Sequence, residues 1–253
     1  MSVQRPKIFV VVPSSRPVNP YTFSSFNYNV NQLGLAGVEI SEPRLYDEKP
    51  LSRARSNSLK EFVEDFPQYT HYLCIDDDQV FYTETILKLL MADKPIVSAW
   101  YMARLGNLGI VVFGRKKEKQ LLSTDDFNNY HSLSIKEIVA RKLPDLSLAK
   151  VDGIGLGCVL IKRSAAETLV RHSKKVNLPV FLEWSPIMGD ETGFFGEDLW
   201  FSEMCCAAGI SLYVHLGAYI GHWAEQGFIV GRQHLKARAM QEGVVEFDLD
   251  EIS

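Results

Sequence analysis

The stretch THYLCIDDD, residues 70–78, places three consecutive aspartates directly after an apolar run. Residues 70–75 predict a buried strand, because short apolar runs of this kind are typical of parallel sheets. On an extended chain Asp76 and Asp78 point to the same face, about 6.6 Å apart. Adjacent carboxylates repel one another and need a cationic partner, and Mg²⁺ or Mn²⁺ fits that need. The other interpretation is a solvated acidic turn ahead of a helix that begins near Thr83.

Strands and helices alternate on both sides of this stretch. Strands are predicted at 7–12, 38–40 and 95–100, and helices at 23–36, from an N-cap at Ser52 to Phe66, and from Thr83 onwards. This alternation predicts an α/β fold with parallel strands. Ligands of such sheets bind beyond the carboxyl ends of the strands, which is where the aspartates lie.

The second half of the chain is less regular. Ser134 with Glu137 and Ser164 with Glu167 are candidate capping boxes. Strands are predicted at 110–113, 151–161, 210–214 and 218–221, and helices from Glu197 to Gly209 and at about 231–241. Residues 188–196 form a glycine-rich aromatic loop.

Composition excludes several classes of protein. The 253 residues carry 27 Lys+Arg against 31 Asp+Glu, a formal charge of −4, which argues against a general nucleic-acid binder. No apolar run approaches the ~18 residues of a membrane span. The four cysteines lack zinc spacing and predict reduced core residues in a cytoplasmic protein. The basic stretch 232–238 suggests either peripheral contact with an anionic membrane or a solvated helix face.

Two further charged motifs lie at predicted helix starts. Arg53 and Arg55 add phosphate donors to the free N–H groups there, unless they lie on an exposed polar face. Glu197 and Asp198 either cap the next helix or act in a cleft, where a carboxylate could serve as a general base.

Two motifs remain ambiguous by themselves. His222 follows a predicted strand and is either structural or a metal ligand, with His215 as a weaker competitor. Residues 151–158, VDGIGLGC, have three alternate glycines, which allow close approach of the backbone to a ligand or mark a bulged strand.

Taken in order, these motifs resemble those of GT-A-fold glycosyltransferases of the D-x-D type. The resemblance covers the chain from the first strand to His222, and it rests on VVP (11–13), RARSN (53–57), IDDD (75–78), SAWY (98–101), VDGIGLGC (151–158), GED (196–198) and GH (221–222). It implies a Rossmann-like α/β fold with a mixed, mostly parallel sheet flanked by helices. It also implies one catalytic domain over 1–253, divided into a nucleotide-binding half at 7–105, an acceptor half at 106–230 and a C-terminal helix and tail at 231–253.

The resemblance also implies roles for individual residues. Mn²⁺ or Mg²⁺ would bind Asp78, His222 and Asp76, with the register within the three aspartates open. The nucleotide-diphospho-sugar, UDP- or GDP-linked, would contact Pro13, Arg53, Arg55, Asn57, Asp76, Asp77, Asp152 and Gly153. Tyr101, Arg104, Gly155 and Phe195 would contact sugars. Asp198 or Glu197 would deprotonate the hydroxyl of a glycan, lipid or protein acceptor in an inverting enzyme, and would bind hydroxyls in a retaining one.

Two other functions remain compatible with the sequence. A sugar-phosphate nucleotidyltransferase would also use carboxylates and Mg²⁺, but it favours a glycine- and lysine/arginine-rich first loop. Residues 13–17, PSSRP, supply one arginine and no glycine. A non-catalytic carbohydrate-binding protein with the same fold is the other alternative.

Overall fold

A computed structural model gives the arrangement of most of the chain. It describes residues 5–14, 16–103, 109–115, 130–144, 147–183, 196–224 and 228–244. The strands are β1 Lys7–Ser14, β2 Glu39–Ile40, β3 Arg44–Asp47, β4 His71–Ile75, β5 Gln79–Val80, β6 Ile96–Trp100, β7 Val112–Arg115, β8 Tyr130–Ser132, β9 Leu148–Val151, β10 Gly153–Ile154, β11 Cys158–Lys162, β12 Leu212–Tyr219, β13 Gly221–Ala224 and β14 Phe228–Val230. The helices are α1 Pro20–Leu35, α2 Leu51–Asp65, α3 Thr83–Met91, α4 Ile135–Ala140, α5 Arg163–Val176, α6 Glu197–Ala207 and α7 Arg232–Gln241.

Eight strands form a central mixed sheet. Its order is β2-β1-β4-β11-β6-β12-β9, and β3 also pairs with β1. β1 is parallel to β2, β3 and β4, and β12 is parallel to β6. β11 is antiparallel to both β4 and β6, and β9 is antiparallel to β12. The predicted α/β class with a mostly parallel sheet is confirmed. The strand–helix alternation did not indicate that β11 enters between β4 and β6, because that strand comes from much later in the chain.

Helices cover both faces of this sheet. Along β1, Ile8 and Val10 pack with Phe26 and Leu33 of α1, while the alternate Phe9 packs on the opposite face with α2. This alternation follows from the period of two in a strand. Two further helices divide in the same way: α3 shares the face of α1, and α5 shares that of α2. The sheet is therefore buried on both faces, and ligands can reach it at the ends of its strands.

Several predicted boundaries differ from the structure. α2 begins at Leu51 behind the extended Pro50, so the prediction of Ser52 as an N-cap is wrong. α5 begins at Arg163 with Lys162 as the cap, so Ser164 starts no capping box. Here Arg163 donates to three backbone carbonyls around α2 and β4, and these contacts fix the first turn. The box at Ser134 and Glu137 is confirmed.

Two small sheets extend the central one. In one of them β13 lies between β5 and β14, and in the other β7 lies between β10 and β8. The strands predicted at 210–214 and 218–221 differ from the structure. There, β12 continues through Gly217 to Tyr219, and β13 is a separate strand that begins at Gly221. Among the described residues, none of the helices is both long and apolar enough to cross a membrane.

Candidate active site

The three aspartates lie at the carboxyl edge of the central sheet. They connect β4 to β5, and the amide of Asp76 donates to the carbonyl of Gly157 at 3.0 Å. Asp77 and Asp78 are almost fully buried, at 7% and 6% exposure. A solvated acidic turn would expose these side chains to water. The three aspartates are therefore not a solvated surface turn.

His222 meets Asp78 at this edge. β13 pairs with β5, so that His222 lies opposite Gln79, and the amide of Trp223 donates to the carbonyl of Asp78 at 2.9 Å. This pairing places His222 Nε2 3.4 Å from Asp78 Oδ1. His222 Nδ1 lies 3.1 Å from the carbonyl oxygen of Met102, which can only accept, so Nδ1 carries the proton. In the neutral ring, the Nε2 lone pair then faces a carboxylate oxygen.

Arg16 binds two of the aspartates from the segment between β1 and α1. Its Nη2 donates to Asp77 Oδ1 at 2.8 Å and to Asp78 Oδ2 at 2.7 Å, and its Nε lies 3.2 Å from both Asp77 oxygens. The hydroxyl of Ser14 also donates to Asp77, at 2.6 Å. A hydrogen bond from Arg16 to Asp77 is the main cause that raises the pKa of Arg16. This guanidinium therefore stays charged, and the two buried carboxylates share it.

Arg55 joins three elements beneath the aspartates. Its side chain is 2% exposed, and its two terminal nitrogens bind Asp76 and Glu197. Burial lowers the pKa of Arg55, but the charges of Asp76 and Glu197 outweigh it and hold that pKa well above its usual value. Burial raises the pKa of both carboxyls, against the opposing effect of Arg55. α2, the end of β4 and the start of α6 are thus tied by one buried charge.

Asp198 lies next to this ion pair in the first turn of α6. Burial raises its pKa from 3.8 to about 7, and the nearby Glu197 and Asp76 charges act in the same direction. The charge of Arg55 and the amide of Leu156, which donates to the carboxylate, partly oppose the shift. The carboxyl group can therefore exchange a proton near neutral pH, which a general base requires.

Tyr101 fills the space that the alternate glycines leave. Its hydroxyl accepts from the amide of Gly157 at 3.2 Å, and its ring meets His222 edge-on at 5.5 Å. A Cβ on Gly157 would lie 2.8 Å from the ring of Tyr101, and one on Gly155 would also collide with it. Packing against Tyr101 therefore explains why these two positions are glycine, since the tyrosine occupies the space beside them.

Gln79 is a buried amide in the same region. It is fully buried, and within the described residues neither its side-chain oxygen nor its nitrogen has a hydrogen-bond partner. Its Nε2 would lie 2.9 Å from a Cβ on Gly157. An uncompensated amide at this depth is costly, so it is a polar group available to a ligand or a water molecule.

A cavity of about 730 Å³ adjoins the aspartates between α1 and the sheet. Val12 and Ile75 form its floor, and they come directly before Pro13 and Asp76. The walls are mostly apolar, with a few polar groups that include Thr22 and Glu42. The hydroxyl of Thr22 is buried and has no partner among the described residues. This combination is typical of a small-molecule pocket.

Other residues from the predicted set lie in different surroundings. Arg53, with 70% of its side chain exposed, pairs with Glu48, and Asn57 also donates to Glu48, at 2.8 Å. Asp152 binds Arg141 at 2.8 Å and the amide of Arg115 at 3.0 Å.

Three further predicted residues complete the set. Gly153 pairs with Phe113 in a small sheet. Arg104 and Phe195 fall outside the described residues.

Three residues of this site were not predicted from the sequence. Arg16, Ser14 and Gln79 contact or adjoin the aspartates, but Ser14 and Arg16 were weighed only as part of the first loop at 13–17 and Gln79 stands in no motif. The one available signal was the position of Ser14 and Arg16 just after the first strand, at the edge where ligands bind.

Two side chains at this edge could contribute to binding a divalent cation. No group of three or more His, Cys, Asp or Glu side chains is placed to hold a metal ion within the described ranges. Asp78 and His222 would supply two ligands, whereas Asp76 binds Arg55. Mg²⁺ sites commonly use only one or two carboxylates of the protein, with substrate phosphate oxygens and water filling the other positions. Asp78 and His222 would therefore hold the ion.

Comparisons with known proteins give distant structural similarity. No protein-family profile and no curated protein sequence match the chain. The chain is similar to A197 from STIV, at 16% identity over 89% of this chain and 94% of that one, with a TM-score of 0.47. GalNAc-T7, solved with UDP, GalNAc and Mn²⁺, is 14% identical over 85% of this chain and 37% of that one, with a TM-score of 0.45. A mutant of Drosophila β1,4-galactosyltransferase 7, solved with manganese, UDP-Gal and xylobiose, is 12% identical over 96% of this chain and 81% of that one, with a TM-score of 0.46. Overlap at this level carries no conclusion about chemistry, so the function rests on the residues of this chain.

Proposed function

We propose that the protein is a glycosyltransferase that moves a sugar from a nucleoside diphosphate sugar to an acceptor hydroxyl. The donor diphosphate would lie at the carboxyl edge of the sheet, over Asp78 and His222. The observation that carries this proposal is the contact of these two side chains, with the Nε2 lone pair facing Asp78 Oδ1 at 3.4 Å. A divalent cation bound by both atoms would satisfy the two lone pairs together.

Mn²⁺ or Mg²⁺ at this pair would neutralise the charge that develops on the leaving diphosphate. Met102 supports the site by fixing the tautomer of His222 through the Nδ1 hydrogen bond. Arg55 holds Asp76 and Glu197 in place, and its charge opposes the rise in their pKa that burial causes. The reacting groups thus face a preorganised set of charges, which is the main source of stabilisation in reactions of this kind.

Asp198 acts as the base for the acceptor hydroxyl. Its pKa of about 7, raised by burial, lets it accept a proton near neutral pH. Direct attack of the deprotonated hydroxyl on the sugar carbon inverts the configuration of that carbon. Glu197 forms an ion pair with Arg55, and in this mechanism it is not the base.

The cavity next to Val12 is proposed to take the donor nucleoside. A nucleobase needs a mostly apolar slot with a few polar groups, and the cavity offers apolar walls with Thr22 and Glu42. Pro13 directly follows Val12, one of the residues that line this cavity. The ribose and the diphosphate would therefore extend past Pro13 toward Asp78.

Thermal unfolding with UDP- and GDP-linked sugars, with and without Mn²⁺, tests the proposal. Ligand at about 100 times its Kd should stabilise the protein by ~2.7 kcal/mol, and the rise in Tm should require the metal. Asp78→Asn should abolish the metal-dependent part of that rise. Asp93→Asn is a matched control, because Asp93 is 84% exposed and pairs with Lys162. Metal-dependent stabilisation that survives Asp78→Asn would exclude this site.

Product analysis separates the proposal from its alternatives. A glycosyltransferase releases a nucleoside diphosphate, whereas a nucleotidyltransferase releases pyrophosphate from a nucleoside triphosphate. Glycan binding without metal and without turnover of any nucleotide sugar would indicate a carbohydrate-binding protein.

A further inference from the structure

Arg16 and His222 share the carboxylate of Asp78. Arg16 Nη2 donates to Asp78 Oδ2 at 2.7 Å, while His222 Nε2 lies 3.4 Å from Asp78 Oδ1. The same guanidinium also holds both oxygens of Asp77. Arg16 therefore supplies positive charge to the carboxylate that would bind the divalent cation.

The two sides of this ion pair differ in exposure. The side chain of Arg16 is 46% exposed, whereas those of Asp77 and Asp78 are each 9% exposed. The aspartates lie between β4 and β5, each of which is hydrogen-bonded into a sheet, and the arginine lies on the segment between β1 and α1. Arg16 is thus the partner that can move into solvent without unfolding a strand.

We propose that Arg16 is a tethered cation that holds Asp77 and Asp78 in the ligand-free protein and turns to the donor diphosphate when a divalent cation binds Asp78 and His222. This inference rests on the proposed function. A guanidinium binds phosphate as it binds a carboxylate, through two parallel N–H donors, so the exchange conserves its hydrogen bonds. Arg16 competes with the metal when no nucleotide is present and contributes to nucleotide binding once the metal is in place.

Binding of Mn²⁺ alone tests the competition. The electron paramagnetic resonance signal of free Mn²⁺ reports the metal affinity of the full chain without nucleotide. Arg16→Ala should bind Mn²⁺ about 10-fold more tightly than the wild type, because one charge-assisted contact is removed from Asp78. Arg238→Ala is the matched control: Arg238 is 44% exposed and pairs at 2.8 Å with Glu242, the residue after the end of α7. Unchanged or weaker Mn²⁺ binding by Arg16→Ala overturns the proposal.

Nucleotide binding tests the second role with the opposite sign. At saturating Mn²⁺, calorimetric titration with UDP and GDP should show about 10-fold weaker binding to Arg16→Ala. Arg16→Lys keeps the charge but not the fork, so it should bind Mn²⁺ like the wild type and bind the diphosphate more weakly. A residue that only braced the aspartates would weaken both ligands in Arg16→Ala, and that result also overturns the proposal. Melting curves of both variants confirm that each is folded.

The failure of this proposal is distinguishable from that of the proposed function. If Mn²⁺ binding with nucleotide requires Asp78 but neither affinity responds to Arg16→Ala, only the role of Arg16 is wrong. If Asp78→Asn leaves Mn²⁺ binding intact, the metal site itself is wrong and the role of Arg16 is overturned with it.

Discussion

At the scale of single residues, Asp198 links the proposed chemistry to stability. Its pKa is about 7 in the folded protein because it is buried, against an ordinary value of 3.8. The folded state therefore favours the protonated form, and its stability falls as the pH rises from about 4 to about 7. Asp198→Asn removes this loss while its side-chain oxygen can still accept from Leu156. At pH 8 we expect the free energy of unfolding of this variant to be about 1–3 kcal/mol higher than that of the wild type. At pH 4 the two free energies of unfolding should be equal.

Urea denaturation at the two pH values measures this difference, and Asp93→Asn gives the opposite sign. A hydrogen bond from Lys162 lowers the pKa of Asp93, so its contribution is present at neutral pH and is lost on acidification. Asp93→Asn should therefore be slightly less stable at pH 8. If Asp198→Asn also destabilises at pH 8, the Asp198 carboxylate is held ionised by its neighbours and burial is not the dominant effect.

At the scale of elements, Arg55 fastens α2 and α6 to the end of β4. Arg55→Leu would leave Asp76 and Glu197 without their shared cation, and we expect a loss of about 3–5 kcal/mol in the free energy of unfolding at pH 8. The loss should be smaller at pH 5 than at pH 8, because burial raises the pKa of both carboxyls and so favours their uncharged forms as the pH falls. Arg53→Leu, two residues earlier and 70% exposed, should change stability by no more than about 0.5 kcal/mol. Equal losses at both pH values for Arg55→Leu would assign the effect to packing instead of charge.

The contact of Tyr101 with Gly157, which directly precedes β11, makes a second prediction at this scale. Gly157→Ala brings a Cβ within 2.8 Å of the Tyr101 ring, and Tyr101 has little room to move because it is 6% exposed. We expect a loss of about 1–3 kcal/mol in chemical denaturation. Gly34→Ala has no atom within 4 Å of the new Cβ and lies inside α1, so it should stabilise the protein by about 0.5–1 kcal/mol. If the Gly157→Ala variant is as stable as the wild type, the side chain of Tyr101 can move aside at little cost.

At the scale of the whole molecule, the candidate site joins segments from the two ends of the chain. Amide hydrogen exchange with nucleotide and Mn²⁺ should therefore slow together at 11–14, 76–80, 197–202 and 221–224, because all four meet at one edge of the sheet. β9 and α4 should exchange at unchanged rates, since β9 lies at the far end of the sheet order. Protection confined to one of the four segments would contradict a shared site.

The sequence by itself determined what depends on near neighbours. The apolar first strand at 7–12 and the capping box at Ser134 were readable, as was the position of three aspartates after a buried strand, because each is set within a few residues. Tertiary structure decided the rest. Arg53 and Arg55 lie about 200° apart on a helix, so only the packing of α2 against the sheet could decide which one is buried. Asp78 and His222 are separated by most of the chain. They meet because β12 pairs with β6 in the central sheet and the next strand, β13, pairs with β5. Contacts of this kind are long-range hydrogen-bonded pairings, which no local pattern of residues encodes.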